Sequence, residues 1–229
     1  MEKKERTKKI IVYAYVLFSI LLFVAVLVIP VTREKFEYLS SNYAYLMGFI
    51  KFALLATAGE LIASYIISVN KTIPVKIVLR FIIWGFIGMW ITFMMKVYSN
   101  AVATMMGSGM LLGGSSTFLR AFYTSLIMNT SFGPLFMAVH KCTDKMLELS
   151  NNKEKITVSS VMKGIDWTGF VSFTIFKTVP LFWIPAHTVT FLLPPQYQVM
   201  MAAALSVALG IFLSLNNRKK VKETVNEKS

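Results

Sequence analysis

Residues 10–29 read IIVYAYVLFSILLFVAVLVI, twenty positions without a charge, and residues 2–9, EKKERTKK, set five basic side chains directly before them. At a rise of about 1.5 Å per residue, such a run reaches about 30 Å as a helix, the thickness of a bilayer's hydrocarbon core. A basic segment followed by an apolar run also resembles a signal peptide. This run is longer than a signal-peptide core, and residues 26–32 hold no small-x-small cleavage site, so the sequence predicts an uncleaved first span.

Working outward, the whole chain has the same character. Its 229 residues are 55% hydrophobic and 15% charged, with a mean hydropathy of +0.61, outside the range of ordinary soluble domains. The expectation is an all-α, polytopic transmembrane helical bundle of about six spans, at residues 10–29, 44–68, 77–95, 119–139, 167–193 and 199–215. Basic cytoplasmic tails are expected at 1–9 and 216–229. The polar stretch with Arg33, Glu34, Lys35 and Glu37 reads as a short loop. Residues 99–118, with Gly107, Gly109, Gly113 and Gly114, read as a loop that can re-enter the membrane only if protein or water covers it. Residues 140–166 form the one long hydrophilic connection, with a short interfacial helix beginning at Thr157. Gly85 and Gly88 in the third span would permit close helix contact. Pro134 in the fourth span, and Pro180 and Pro185 in the fifth, predict kinks and are the candidate hinges.

The net charge of +13 suggests nucleic acid only if it forms a face on a soluble module, and here the basic residues lie between apolar runs. Topology accounts for them better. Of 24 Lys and Arg residues, 18 fall in the two tails and in segments 70–80 and 140–166. The opposite side holds four, Arg33, Lys35, Lys96 and Arg120, while Lys51 and Lys177 lie within spans. Positive charge concentrates on the cytoplasmic side, so this bias predicts an even number of spans with both termini inside a cell (inner) membrane.

Catalytic patterns are missing from the sequence. It contains no HExxH, GxSxG or P-loop, and its single cysteine, Cys142, forms no CxxC or intramolecular disulfide. No enzyme, metal or cofactor is expected. His140 and Asp144, four apart, read as loop anchoring rather than chemistry.

What remains are polar groups where lipid should be, each charge costing at least about 2.5–3.5 kcal/mol near the bilayer centre. Glu60 and Lys177 both fall roughly 12–15 Å deep and are candidates for a charge pair. Asn129, His187 and Thr190 are candidates to line a polar path with them; the alternative is that all five form structural interhelical hydrogen bonds. Lys51 is expected to snorkel outward, as is Arg120. The partners implied are the lipid bilayer and a small solute, and the sequence is compatible with a homo-oligomer.

The run Trp183, Ile184, Pro185, Ala186, His187, Thr188, Val189, Thr190, Phe191, followed by Pro195, resembles a signature of the Mpv-seventeen / 22 kDa peroxisomal membrane protein family. Trp183, Phe191 and Pro195 fit its pattern, and His187 and Thr190 stand at its Gln and Asn positions. Gly59-Glu60 resembles the family's Gly-Asp, and Asn129 with Phe132 and Pro134 resembles its Asp-Gln-x-x-Phe-x-Pro stretch. Met128 replaces the acid there, and Gln198 and Val199 occupy the region of a common arginine. The resemblance covers residues 44–215 and implies an organellar or bacterial inner-membrane protein acting as a small-solute channel.

Overall fold

The computed structural model describes residues 2–67 and 77–226, with side chains at 10, 13–63 and 77–211. The basic side chains of both tails, residue 68 of the second expected span and residues 70–76 of the basic connection lie outside the described residues. Among the described residues all regular structure is helical: α1 (Glu2–Val28), α2 (Pro30–Asn42), α3 (Ala44–Ile67), α4 (Ile77–Gly107), α5 (Thr117–Asn151), α6 (Val158–Lys163), α7 (Trp167–Gly169), a π-helix (Phe170–Trp183), α8 (Ile184–Leu192) and α9 (Pro195–Asn226).

Three helices are long and apolar enough to cross a membrane: Ala44–Ala63, Ile77–Gly107 and Trp167–Leu192. The count rises to four if α1 and α2, bent by 96° across Ile29, form one broken span. Pro195–Ile211 is a shorter apolar helix. The chain is therefore a helical membrane protein.

Several segments expected to be loops are helical. The polar stretch after Ile29 is α2, started by Pro30, whose missing N–H costs nothing at a helix start. Its charged side chains Arg33, Glu34 and Lys35 are exposed while Phe36 and Ser40 are buried. Helix α4 continues to Gly107, so the glycine-rich loop shrinks to residues 108–116. There Gly109, Gly113 and Gly114 adopt φ of +77°, +112° and +53°, which β-carbon-bearing residues rarely accept. Helix α5 runs through Pro134 into the hydrophilic connection as far as Asn151. The short helix expected from Thr157 is α6, whose start is held by reciprocal Thr157–Ser160 capping bonds. The expected fifth span stays helical past both prolines, but in a wide π register from Phe170 to Trp183.

The chain divides into two compact units, Met1–Thr92 with Pro195–Ser229, and Phe93–Pro194. In the first unit, α3 is the central helix, packed on α9, α1 and α2. Tyr15 of α1 donates its hydroxyl to the carbonyls of Ala53 and Leu54, both at 3.0 Å. A β-carbon at Gly59 would lie 2.7 Å from Val207 Cγ2 of α9. One at Gly88 of α4 would lie 2.6 Å from Phe52 Cβ and would strike the carbonyl oxygen of Gly48. Gly85 likewise leaves room for the ring of Phe49. Glycine thus sets how closely α3 approaches both neighbours, and the contact foreseen for Gly85 and Gly88 is present. In the second unit, α5 packs on α8 and on the π-helix.

The glycine contacts make a direct prediction. Gly59→Leu and Gly88→Leu should each destabilise the detergent-solubilised protein by about 1–3 kcal/mol, the usual cost of overpacking. Gly107→Leu, with nothing within 4 Å of its would-be β-carbon, should stay within about 0.5 kcal/mol of wild type in the same thermal-unfolding assay.

Candidate functional site

Three buried polar side chains of the second unit, Thr124, Ser125 and Asn129, lie on one face of α5. Between residues 121 and 133 its buried positions are Ala121, Thr124, Ser125, Met128, Asn129, Phe132 and Gly133, spaced three and four apart as one helical face requires. That face meets α8, whose buried residues are Thr188, Thr190 and Phe191.

A closed hydrogen-bond circuit joins the two helices. His187 Nδ1 lies 3.0 Å from Asn129 Oδ1. Asn129 Nδ2 donates to the Ser125 carbonyl at 2.8 Å and to Ser125 Oγ at 3.2 Å. Ser125 Oγ donates to the Ile184 carbonyl at 2.7 Å, which brings the circuit back to α8. Because the Asn129 amide nitrogen faces Ser125, its oxygen faces the imidazole and can only accept. The circuit therefore places a His187 proton on Nδ1. The Trp183 ring, 5.1 Å between centroids, packs against the imidazole.

The π-helix delivers His187 to this position. Its register is marked by Ile184 N–H donating to the Val179 carbonyl and by Thr178 Oγ1 donating to the Phe173 carbonyl, each five residues back. Pro180 lies inside it, and Pro185 occupies the first turn of α8, so neither contributes a backbone N–H. π-helical turns are rare and frequently mark functional sites.

At the N-terminal end of α5, Ser115, Ser116, Thr117 and Arg120 line a cavity of about 450 Å³ with Ala103, Met106, Gly107 and Gly114, its wall part polar and part apolar. Ser116 caps α5 by accepting from Leu119 N–H at 3.3 Å. Asn129 lies nine residues along the helix from Arg120, roughly 13 Å deeper.

The other expected site residues are placed differently. Thr190 is fully buried and donates to the Ala186 carbonyl of its own helix at 2.9 Å. Lys177 is exposed on the π-helix near Phe173, Phe176 and Leu181, which are exposed too. In the first unit, the ionic partner of Glu60 is Arg80, at 2.8 Å, rather than the Lys177 expected from depth. Lys51 does not snorkel. It is 7% exposed, donates to the Gln196 carbonyl at 2.8 Å and lies 4.4 Å from the Phe36 ring centroid. Arg120, by contrast, is exposed as expected. His140 Nε2 and Asp144 Oδ2 are 3.5 Å apart on one face of α5.

Ser125 and Arg80 escaped sequence reasoning for different reasons. Ser125 carries an ordinary signal, a hydroxyl four residues before a buried amide. Arg80 belongs by composition to the basic connection 70–80, and sequence alone does not show that the start of α4 lies beside Glu60 of α3.

The chain matches no protein-family model, no curated protein and no solved structure.

The circuit predicts energetic coupling between its ends. In a double-mutant cycle, Asn129→Ala and His187→Ala should couple by about 0.6–1.7 kcal/mol, the span measured for interhelical hydrogen bonds in membranes. Nitrogen NMR of His187 in the wild type should show the proton on Nδ1, and Asn129→Ala should remove that preference.

Proposed function

We propose that the chain is a small-solute channel or passive transporter of a cell (inner) membrane, of the Mpv-seventeen type. On this reading it crosses six times, with α5 and α9 added to the bent first span, α3, α4 and the π-helix with α8. Both termini are cytoplasmic, in keeping with the 18-to-four bias of basic residues. The observation that carries the reading is the row of hydroxyl, amide and imidazole groups along the α5–α8 seam, with a separate cavity beside Arg120 at the N-terminal end of α5. Intramembrane polar residues that face a bundle interior commonly mark solute pathways. Arg120 would select for anions at the mouth, and Pro180 and Pro185 would let the helix beside the seam flex.

A second reading has its own support. Ser125, Asn129, Thr188 and Thr190 all bond protein atoms. A seam satisfied in this way also suits a non-conducting structural or assembly factor.

Flux in liposomes separates the two. Wild-type protein should pass small anions above the level of empty liposomes. Arg120→Gln should lower that flux by about tenfold at low salt and by less at high salt, because ions screen the steering charge. Lys177→Met, away from the seam, should leave it unchanged. If folded wild-type protein passes neither ions nor small metabolites, the assembly reading replaces the channel.

A further inference from the structure

The first unit holds a second cavity, unrelated to the seam. It measures about 280 Å³ and lies among α1, α2, α3 and α9. Its walls are almost wholly apolar, with Leu22 and Phe23 of α1, Leu39 of α2, Ile50 and Leu54 of α3, and Met200 of α9. Leu22, Leu39 and Ile50 are each more than a third exposed, so the cavity's rim opens toward the surroundings of the unit. Two lysines, Lys51 and Lys35, contribute to its wall, chiefly through their aliphatic stems.

Lys51 is the unusual member. Seven residues into α3, it is buried with one hydrogen bond to a neutral carbonyl and one ring face, and no carboxylate among the described residues bonds it. An ammonium has three donors, and a buried charge left without a counter-charge is costly. The carboxylate of Glu37 is engaged by the Tyr197 hydroxyl and is not part of the cavity wall. Lys35 is exposed on the charged face of α2. Of that face, Lys35 reaches the wall of the cavity, where α1 and α2 meet at 96°.

We propose that this cavity binds one anionic phospholipid of the bilayer. A segment of acyl chain fills the apolar space, and the headgroup phosphate sits between Lys51 and Lys35. The volume supports the division, since about 280 Å³ lies just below the roughly 300–1,000 Å³ of pockets that enclose a drug-sized ligand. It takes part of a chain, not a whole lipid. The phosphate supplies the negative charge that Lys51 lacks, and Lys35 holds it from the water side. Binding at this place would also tie α2 down over α1 and α3.

The test uses the full-length protein, purified in detergent and delipidated. Native mass spectrometry then follows titration with phosphatidylglycerol, with phosphatidylcholine of the same chains, and with inorganic phosphate as competitor. Wild type should retain one phosphatidylglycerol at least about tenfold more tightly than phosphatidylcholine, and inorganic phosphate should not displace it. Lys35→Gln, an exposed change that does not threaten folding, should weaken phosphatidylglycerol severalfold and leave phosphatidylcholine unchanged. Lys51→Met should abolish the preference and Lys51→Arg should keep it. Leu54→Trp, which fills the cavity without touching either charge, should remove the bound lipid. Equal retention of the two lipids by wild type, or an unchanged preference in Lys35→Gln, overturns the proposal. Displacement by inorganic phosphate alone would mean a free-anion site and overturns it as well.

Discussion

Where the surroundings are as apolar as the helices themselves, burial of apolar surface cannot decide which helix packs against which. Helix α3 shows the consequence. It is apolar on nearly every side, so what fixes its neighbours is where two backbones can come close and where a polar group finds a partner. Gly48 and Gly88 admit α4, Gly59 admits Val207 of α9, and the carbonyls of Ala53 and Leu54 capture Tyr15 of α1. The second unit meets the same constraint with polar atoms. Asn129 has no room to reach water, so it ties α5 to α8 through His187 and Ser125.

This constraint explains what could be read in advance. Long uncharged runs and small residues are local properties, so α3, α4, the helical stretch from Trp167 and the close approach at Gly88 were legible. Helix ends were not. Hydropathy reports where lipid ends, whereas a helix ends where its hydrogen-bond ladder lacks a continuation, and α4 and α5 extend well past their apolar portions to Gly107 and Asn151. Helix α2 was hidden for the same reason. Its charges signal water, and water is compatible with a helix lying at a surface as much as with a loop. The π register left no trace either, since Pro180 and Pro185 announce a disturbed ladder without saying whether it breaks or widens.

Partners of the buried charges were the least legible part. Depth along a span ranks residues by distance from water, but it does not say which helix lies opposite. Glu60 and Lys177 agree in depth, yet Glu60 pairs with Arg80 at the start of α4. Lys51 was read as a side chain that reaches out to water, and that reading assumed no cover above it. The fold places Phe36 of α2 and the Gln196 carbonyl of α9 over the ammonium, and those positions are 15 and 145 residues away in sequence.

The two units treat their buried polar groups in opposite ways, and the contrast bears on function. In the seam the Asn129 amide and the Ser125 hydroxyl find partners within α5 and across to α8, so His187 needs no charge to belong to the circuit. Such a row can hold a passing polar solute only by exchanging a protein bond for one to the solute, a near-even trade that permits entry and exit alike. Lys51 is different, because its neutral carbonyl and aromatic ring stabilise a cation without cancelling it. A site of that kind gains most from an occupant that stays. On the proposed readings, contacts at the α5–α8 seam are transient and those in the cavity beneath α2 are lasting.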